Sequence, residues 1–175
     1  MHYIIVGTDH PLQKSGSQDT GLRDLLQSIL IAHPVALIAE EVETSIQVST
    51  FGLKLIGNDK WLSIDMTKQQ QKDAGIYEVR RTGQPERDPI TGDDIFVNPY
   101  HKKAEAVREN VWLDRIAHWC EQRNISVGTV VLICGDNHAT FVADKLTGRG
   151  HTVTHEQYLP FDKAVRFGPF WVYDD

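Results

Sequence analysis

Two histidines in this 175-residue chain follow a glycine at the same spacing, each after a run of apolar residues. The segments are Ile4-Ile5-Val6-Gly7-Thr8-Asp9-His10 and Leu132-Ile133-Cys134-Gly135-Asp136-Asn137-His138. A third apolar run, Val35-Ala36-Leu37-Ile38-Ala39, ends on adjacent carboxylates, Glu40-Glu41, and a fourth, Trp61-Leu62-Ser63-Ile64, ends on Asp65. Imidazole nitrogens and carboxylate oxygens brought to one place form a donor set for Zn, Mn, Fe or Co, and water bound to such an ion loses a proton near neutral pH. The expected ligands are His10, Glu40, Glu41, Asp65 and His138. In that reading a carboxylate left free, Glu41, is the general base, with His138 beside it. Arg108 stabilises developing negative charge, holds a substrate carboxylate or phosphate, or pairs with Glu40 or Glu41. Without a metal, the same residues support acid/base hydrolysis with a histidine as the base.

Each of these residues has a plainer use. Glu41 suits the first turn of a helix, where a negative charge meets the positive end of the macrodipole. Asp65 suits a helix cap, and Arg108 suits the border of an apolar stripe from which its head snorkels to water. Asp9 and Asp136 either orient the histidines or cap the helices that follow. His2, His33, His101, His118 and His151 have no carboxylate company and read as structural. Cys134, inside an apolar run, reads as a small buried residue rather than a nucleophile. The chain has no Gly-x-Gly-x-x-Gly, no Gly-x-x-x-x-Gly-Lys-[Ser/Thr] and no Gly-x-Ser-x-Gly, so the dinucleotide, P-loop and serine-elbow readings fall.

The elements that must position these groups alternate. Continuous apolar runs of strand length fit strands buried on both faces, as in a parallel sheet. Between them, apolar residues recur at helical spacing: Leu22, Leu25, Leu26, Ile29 and Leu30, then Ala104, Val107, Val111, Trp112, Ile116 and Trp119. Helices are expected over 41–55, 67–74, 101–123 and 137–147, with Thr67 capping the second and Gly75 stopping it, and a weaker fifth strand over 151–155. The fold class is α/β: one domain over 1–175, with a mostly parallel sheet flanked by helices. In such sheets ligands bind beyond the carboxyl ends of the strands, where all the groups above, together with His155-Glu156, are delivered. Residues 77–99 read as an irregular insertion, either a flap beside the site or a solvated loop. Residues 161–175 hold Phe161, Phe167, Phe170, Trp171 and Tyr173 and read as an aromatic C-terminal arm, packed on the body or serving a homo-oligomer contact.

Composition narrows the function classes. Eighteen basic against 24 acidic residues give a net charge of −6, which opposes electrostatic binding to nucleic acid or an anionic membrane. No apolar run reaches the roughly 20 residues of a membrane span. Two cysteines are too few for a disulfide framework, and no basic leader precedes the first apolar run, so the expected setting is cytoplasmic.

The order of the motifs, Gly7-Thr8-Asp9-His10, Glu40-Glu41, Asp65, Arg108-Glu109-Asn110-Val111-Trp112 and Gly135-Asp136-Asn137-His138, resembles the TraB/ChaN-like superfamily. That superfamily also takes in Tiki-type proteases and erythromycin-esterase-like proteins. The resemblance implies an α/β fold with His and Glu residues lining a cleft at the strand ends. It carries His10, Glu40, Glu41 and His138 into the site, with Arg108 close by. Some relatives are metal-dependent proteases, some hydrolyse esters, and the ChaN type binds haem. The expected function is therefore a metal-dependent hydrolase of a small ester, amide or phosphoester, acting on a small-molecule or peptide substrate. The alternatives are a non-catalytic protein that captures haem, a metal ion or a small ligand, and an interaction protein whose working part is the aromatic arm.

Overall fold

Strands rich in Ile, Val and Leu cannot leave either face in water, and here five of them pair side by side with helices over both faces. The computed structural model describes the backbone of residues 1–18, 20–43, 49–82, 86–87, 94–95 and 99–160, and their side chains outside 80–101. The aromatic arm expected over 161–175 lies outside the described residues. In chain order the elements are β1 (His2–Thr8), α1 (His10–Gln13), α2 (Gly21–Ala32), β2 (Val35–Glu43), α3 (Phe51–Ile56), β3 (Trp61–Asp65), α4 (Lys68–Asp73) and α5 (Tyr77–Thr82). There follow β4 (Glu86–Arg87), β5 (Asp94–Ile95), α6 (Pro99–Gln122), β6 (Thr129–Gly135), α7 (Asp136–Gly148) and β7 (Thr152–Tyr158).

The main sheet has the order β3-β2-β6-β1-β7, and all its pairs are parallel. The α/β expectation therefore holds. β6, at the centre, is buried along its whole length. Its place between β1 and β2 brings three motif-bearing strands together: Thr8 pairs with Gly135, and Glu40 with Ile133. One face carries Tyr3, Ile5, Leu37, Ala39, Leu132 and Cys134 against α6 and α7, through Trp112, Ile116, Ala139, Val142 and Leu146. The other carries Ile4, Val6, Ile38, Val131 and Ile133 against α2 and α3, through Leu22, Leu26, Ile29 and Phe51.

Three expectations change. The helix expected over 41–55 is instead a continuation of β2 through Glu43, and the helix there is only Phe51–Ile56, with 44–48 outside the described residues. β2 stays extended because β3 pairs along it as far as Glu43–Asp65, while Ser63 Oγ donates to the carbonyl of Val42 (2.7 Å). The insertion of 77–99 contains the helix α5 and a two-residue antiparallel pair, β4 and β5, rather than irregular chain alone. The fifth strand, expected over 151–155, runs to Tyr158, so His155 and Glu156 lie within it rather than past its end. Thr67 and Gln70 form a reciprocal capping box at α4, and Gly75 follows its end at a φ of 68°, where a side chain would be strained.

The change at β2 matters for the site. A strand sends successive side chains to opposite faces, so Glu40 and Glu41 separate. Glu41 follows Leu37 and Ala39 toward α6 and α7, whereas Glu40 follows Ile38 toward α3. There Glu40 is fully buried and accepts hydrogen bonds from the Thr50 hydroxyl and the Trp61 indole N–H. Thr50 in turn caps α3, its Oγ1 accepting from the Leu53 N–H (3.1 Å). Glu40 thus ties β2, β3 and the start of α3 together. Gly52 makes room for it, since a Cβ at that position would lie 3.0 Å from Glu40 Oε1.

Burial raises the Glu40 carboxyl from about 4.5 to about 7, against the opposing hydrogen bonds from Thr50 and Trp61. A carboxyl whose folded pKa exceeds its unfolded one binds more protons when folded, so its contribution falls as pH rises between those two values and is constant above them. Glu40→Gln is therefore expected to remove a decline of about 3 kcal/mol between pH 4.5 and 7. Urea denaturation of both proteins across that range measures it; parallel stability curves would contradict the assignment.

Candidate active site

The groups left on the α6/α7 face converge at the carboxyl ends of β1, β2 and β6. Arg108, on α6, lies at their centre with its side chain only 2% exposed. Its Nε and Nη2 donate to the two oxygens of Asp65 at 3.1 and 2.7 Å, a bidentate pair. Nη2 also donates to Glu41 Oε1 at 2.9 Å, and Nη1 donates to Glu105 Oε2. The guanidinium stacks near the Trp112 ring, 5.1 Å from its centroid, and the Trp112 N–H donates to Asp65 Oδ1 at 3.0 Å. Burial alone would strip the charge from both partners, but their attraction prevails. Arg108 is held charged well above its ordinary range, and Asp65 is held below the usual carboxylate value.

Glu41 has its second oxygen fixed as well, since Oε2 accepts from the backbone N–H of Gly135 at 2.8 Å. Oε1 then faces both histidines, with His10 Nε2 at 3.6 Å and His138 Nε2 at 3.8 Å. His138 Nε2 also lies 3.7 Å from Glu105 Oε2. One guanidinium against three carboxylates leaves this cluster anionic. Although burial would lower His138, its hydrogen bond to Glu109 and the charges of Glu41 and Glu105 outweigh burial and the repulsion of Arg108, and its pKa is raised above 6.5.

The two Gly-x-x-His segments reach this place by different routes. Their register is staggered: Gly7 pairs with Cys134 and Thr8 with Gly135. Neither glycine has a positive φ, so neither makes a turn that only glycine could make. They are needed for space. A Cβ on Gly7 would lie 2.7 Å from Asp136 Oδ1 and 3.1 Å from Ala139 Cβ, and one on Gly135 would lie 3.3 Å from His10 Nε2. His10 begins the short helix α1 and keeps 37% of its side chain exposed, whereas His138, in the first turn of α7, keeps 13%.

The structure therefore gathers His10, Glu41, Asp65, Arg108 and His138, and places Glu40 on the opposite face of the sheet. The five expected metal ligands are not one donor set. Glu40 is separated by strand alternation, and Asp65 and Glu41 are the counterions of a guanidinium fixed between them. Among the described residues no group of three or more His, Cys, Asp or Glu side chains is placed to hold a metal ion. The donors do not fit a resident divalent cation because Arg108 already supplies positive charge at the carboxylates it would use. Nor does Arg108 fit the part of a substrate clamp, since it is buried and bonded to three carboxylates. Cys134 is buried, and burial next to Glu41, Glu109 and Asp136 pushes its thiol well above its ordinary pKa, as suits an inert residue.

Two members of the cluster escape a reading of strand ends alone. Glu105 and Glu109 lie on α6, four residues apart, flanking Arg108. Glu109 Oε1 meets His138 Nδ1 at 2.9 Å, and its Oε2 accepts from Lys145 Nζ at 2.8 Å. The available signal is charge at buried helix positions: Glu105, Arg108, Glu109 and Trp112 recur at spacings of three and four on a helix whose apolar stripe runs alongside. Asp136, expected to orient a histidine or cap the helix that follows, lies in the first turn of α7 and accepts from Gln157 Nε2 at 2.7 Å.

No family model, curated protein or solved structure matches the chain. The geometry is what bears on function.

Removing the guanidinium leaves buried carboxylates without their counterion. Arg108→Met is expected to cost about 3–5 kcal/mol at pH 7. The loss should shrink at pH 4–5, where protonation relieves the repulsion. Arg108→Lys should recover little, because an ammonium cannot span Asp65 and Glu41 as the fork does. Chemical denaturation at both pH values reports this, and a loss independent of pH would point to packing instead.

Proposed function

We propose that the chain is a hydrolase of a small carboxylic ester or amide that works by acid/base catalysis between two imidazoles. The observation that carries this reading is that His10 Nε2 and His138 Nε2, from different strand ends, face the same oxygen of Glu41 at 3.6 and 3.8 Å. Such a pair can share the two proton transfers of hydrolysis. His138 Nε2 takes a proton from the attacking water, and His10, the more exposed, delivers one to the leaving oxygen or nitrogen. Glu41, fixed by Arg108 and the Gly135 N–H, lies beyond hydrogen-bond length of both rings and by its charge favours the imidazolium formed during the reaction. It is not placed as the general base, because both oxygens are already engaged. A phosphoester suits the cluster less, since Arg108 is bonded to three carboxylates and the surrounding charge is negative. The resemblance in motif order to the TraB/ChaN-like superfamily, with its ester-hydrolysing members, agrees with this class of reaction.

The test is a screen of p-nitrophenyl esters and small anilides with tag-free protein, beside His138→Ala and His10→Ala, with metal content measured by elemental analysis. Wild-type turnover that falls by about 10²-fold or more in His138→Ala and survives chelation would support the reading. Turnover that needs an added divalent ion would favour a metal-dependent hydrolase instead. Tight capture of a ligand with no turnover would favour the binding protein. With His138 as base, kcat is expected to rise with pH through a midpoint above 6.5, because its raised pKa keeps it protonated below that.

A further inference from the structure

We infer that Glu109, clamped by Lys145, is the positioning residue that holds the proton of neutral His138 on Nδ1 and leaves the lone pair on Nε2, the nitrogen on the side of Glu41 and Glu105. This rests on the reading above, in which His138 Nε2 is the base, and it says what makes that nitrogen the free one. In water a neutral imidazole prefers its proton on Nε2, so a site that uses Nε2 as a base must reverse the preference.

The contacts around Glu109 do so. The residue is 3% exposed, and both carboxylate oxygens are engaged: Oε1 with His138 Nδ1 at 2.9 Å and Oε2 with Lys145 Nζ at 2.8 Å. Lys145 is itself fixed, donating to the carbonyl of Ala106 at 3.1 Å. His138 and Lys145 are seven residues apart on α7, two turns along the same face, so both reach the one side chain on α6. The Lys145 ammonium and the His138 contact keep Glu109 ionised despite its burial. An ionised carboxylate only accepts, so Nδ1 must donate and the remaining lone pair falls on Nε2. The groups facing Nε2 are Glu41 Oε1 at 3.8 Å and Glu105 Oε2 at 3.7 Å, both beyond hydrogen-bond length. The Trp112 ring meets the imidazole edge-on, with centroids 5.1 Å apart, and limits its rotation.

Glu109→Gln keeps the shape and reverses the proton. Lys145 still needs an acceptor, so the amide oxygen turns to it and the amide NH₂ faces Nδ1. The Nδ1 atom must then accept, and the proton moves to Nε2. The experiment is ring ¹⁵N NMR of His138, assigned with His138→Asn, in wild type and Glu109→Gln at a pH where the ring is neutral. It is read beside kcat and KM on the best ester of the screen. The expected result is an Nδ1–H tautomer in wild type and an Nε2–H tautomer in the variant. kcat should fall roughly 10²- to 10⁴-fold with KM within about twofold, and Glu109→Asp should recover part of the loss.

An Nε2–H tautomer in the wild type, which needs no variant to observe, would overturn the inference. So would a folded Glu109→Gln protein with an unmoved tautomer or an unchanged kcat. If the tautomer reverses as described while wild type hydrolyses nothing in the screen, the positioning role stands and the hydrolase reading falls.

Discussion

A single positive charge that cannot leave the protein interior organises this site. Arg108 projects from the middle of a 24-residue helix into the ends of β2 and β3, where Glu41 and Asp65 stand with Glu105 beside them. Burying these groups separately would cost several kcal/mol each, so the arrangement persists only as a mutual set. The planar fork makes it possible, because one guanidinium addresses two oxygens of Asp65 and one of Glu41 in fixed directions. The helix is thereby pinned to the sheet at the place where ligands meet open α/β folds. The histidines then arrange themselves around what Arg108 leaves over, the outer side of Glu41 Oε1 and the oxygen of Glu105.

The two halves of the Glu40-Glu41 pair show how one covalent sequence serves two faces. On the α6/α7 side, the Arg108 guanidinium and the Gly135 N–H meet Glu41. One residue earlier, on the α3 side, no cation is bonded to Glu40 among the described residues, and burial outweighs the hydrogen bonds from Thr50, Trp61 and the Gly52 backbone and pushes its pKa to about 7. Glu40 joins strands and helix structurally, through the capped start of α3. Neighbouring carboxyls thus meet a cation on one face of the sheet and apolar burial on the other.

Imidazole placement follows a similar division. His10 and His138 carry the same local motif, yet the strands that bear them are staggered by one residue and the helices that follow differ in length, four residues against 13. His138 is consequently held at Nδ1 by Glu109, with Glu41 and Glu105 beyond hydrogen-bond length of Nε2, while His10 stands more open at the rim. An asymmetric pair of this kind suits different duties for its two members.

Read alone, the chain was enough to determine the α/β class, the parallel sheet and the end of it at which titratable side chains gather. Those follow from local rules: continuous apolar runs, helical periodicity, and the capping chemistry of Thr67 and Gly75. It also marked His10, Glu41, Asp65, Arg108 and His138, because polar groups at the ends of apolar runs are visible in one dimension. What it could not decide was which of those groups share a space. That Glu40 turns away depended on β2 continuing through Glu43, and this depended on pairing with β3, a contact between residues 22 positions apart. That Glu105 and Glu109 belong to the site depended on how α6 lies across the sheet. Whether a carboxylate meets a proton or a cation is settled by neighbours distant in sequence, and only the packed structure brings those neighbours together.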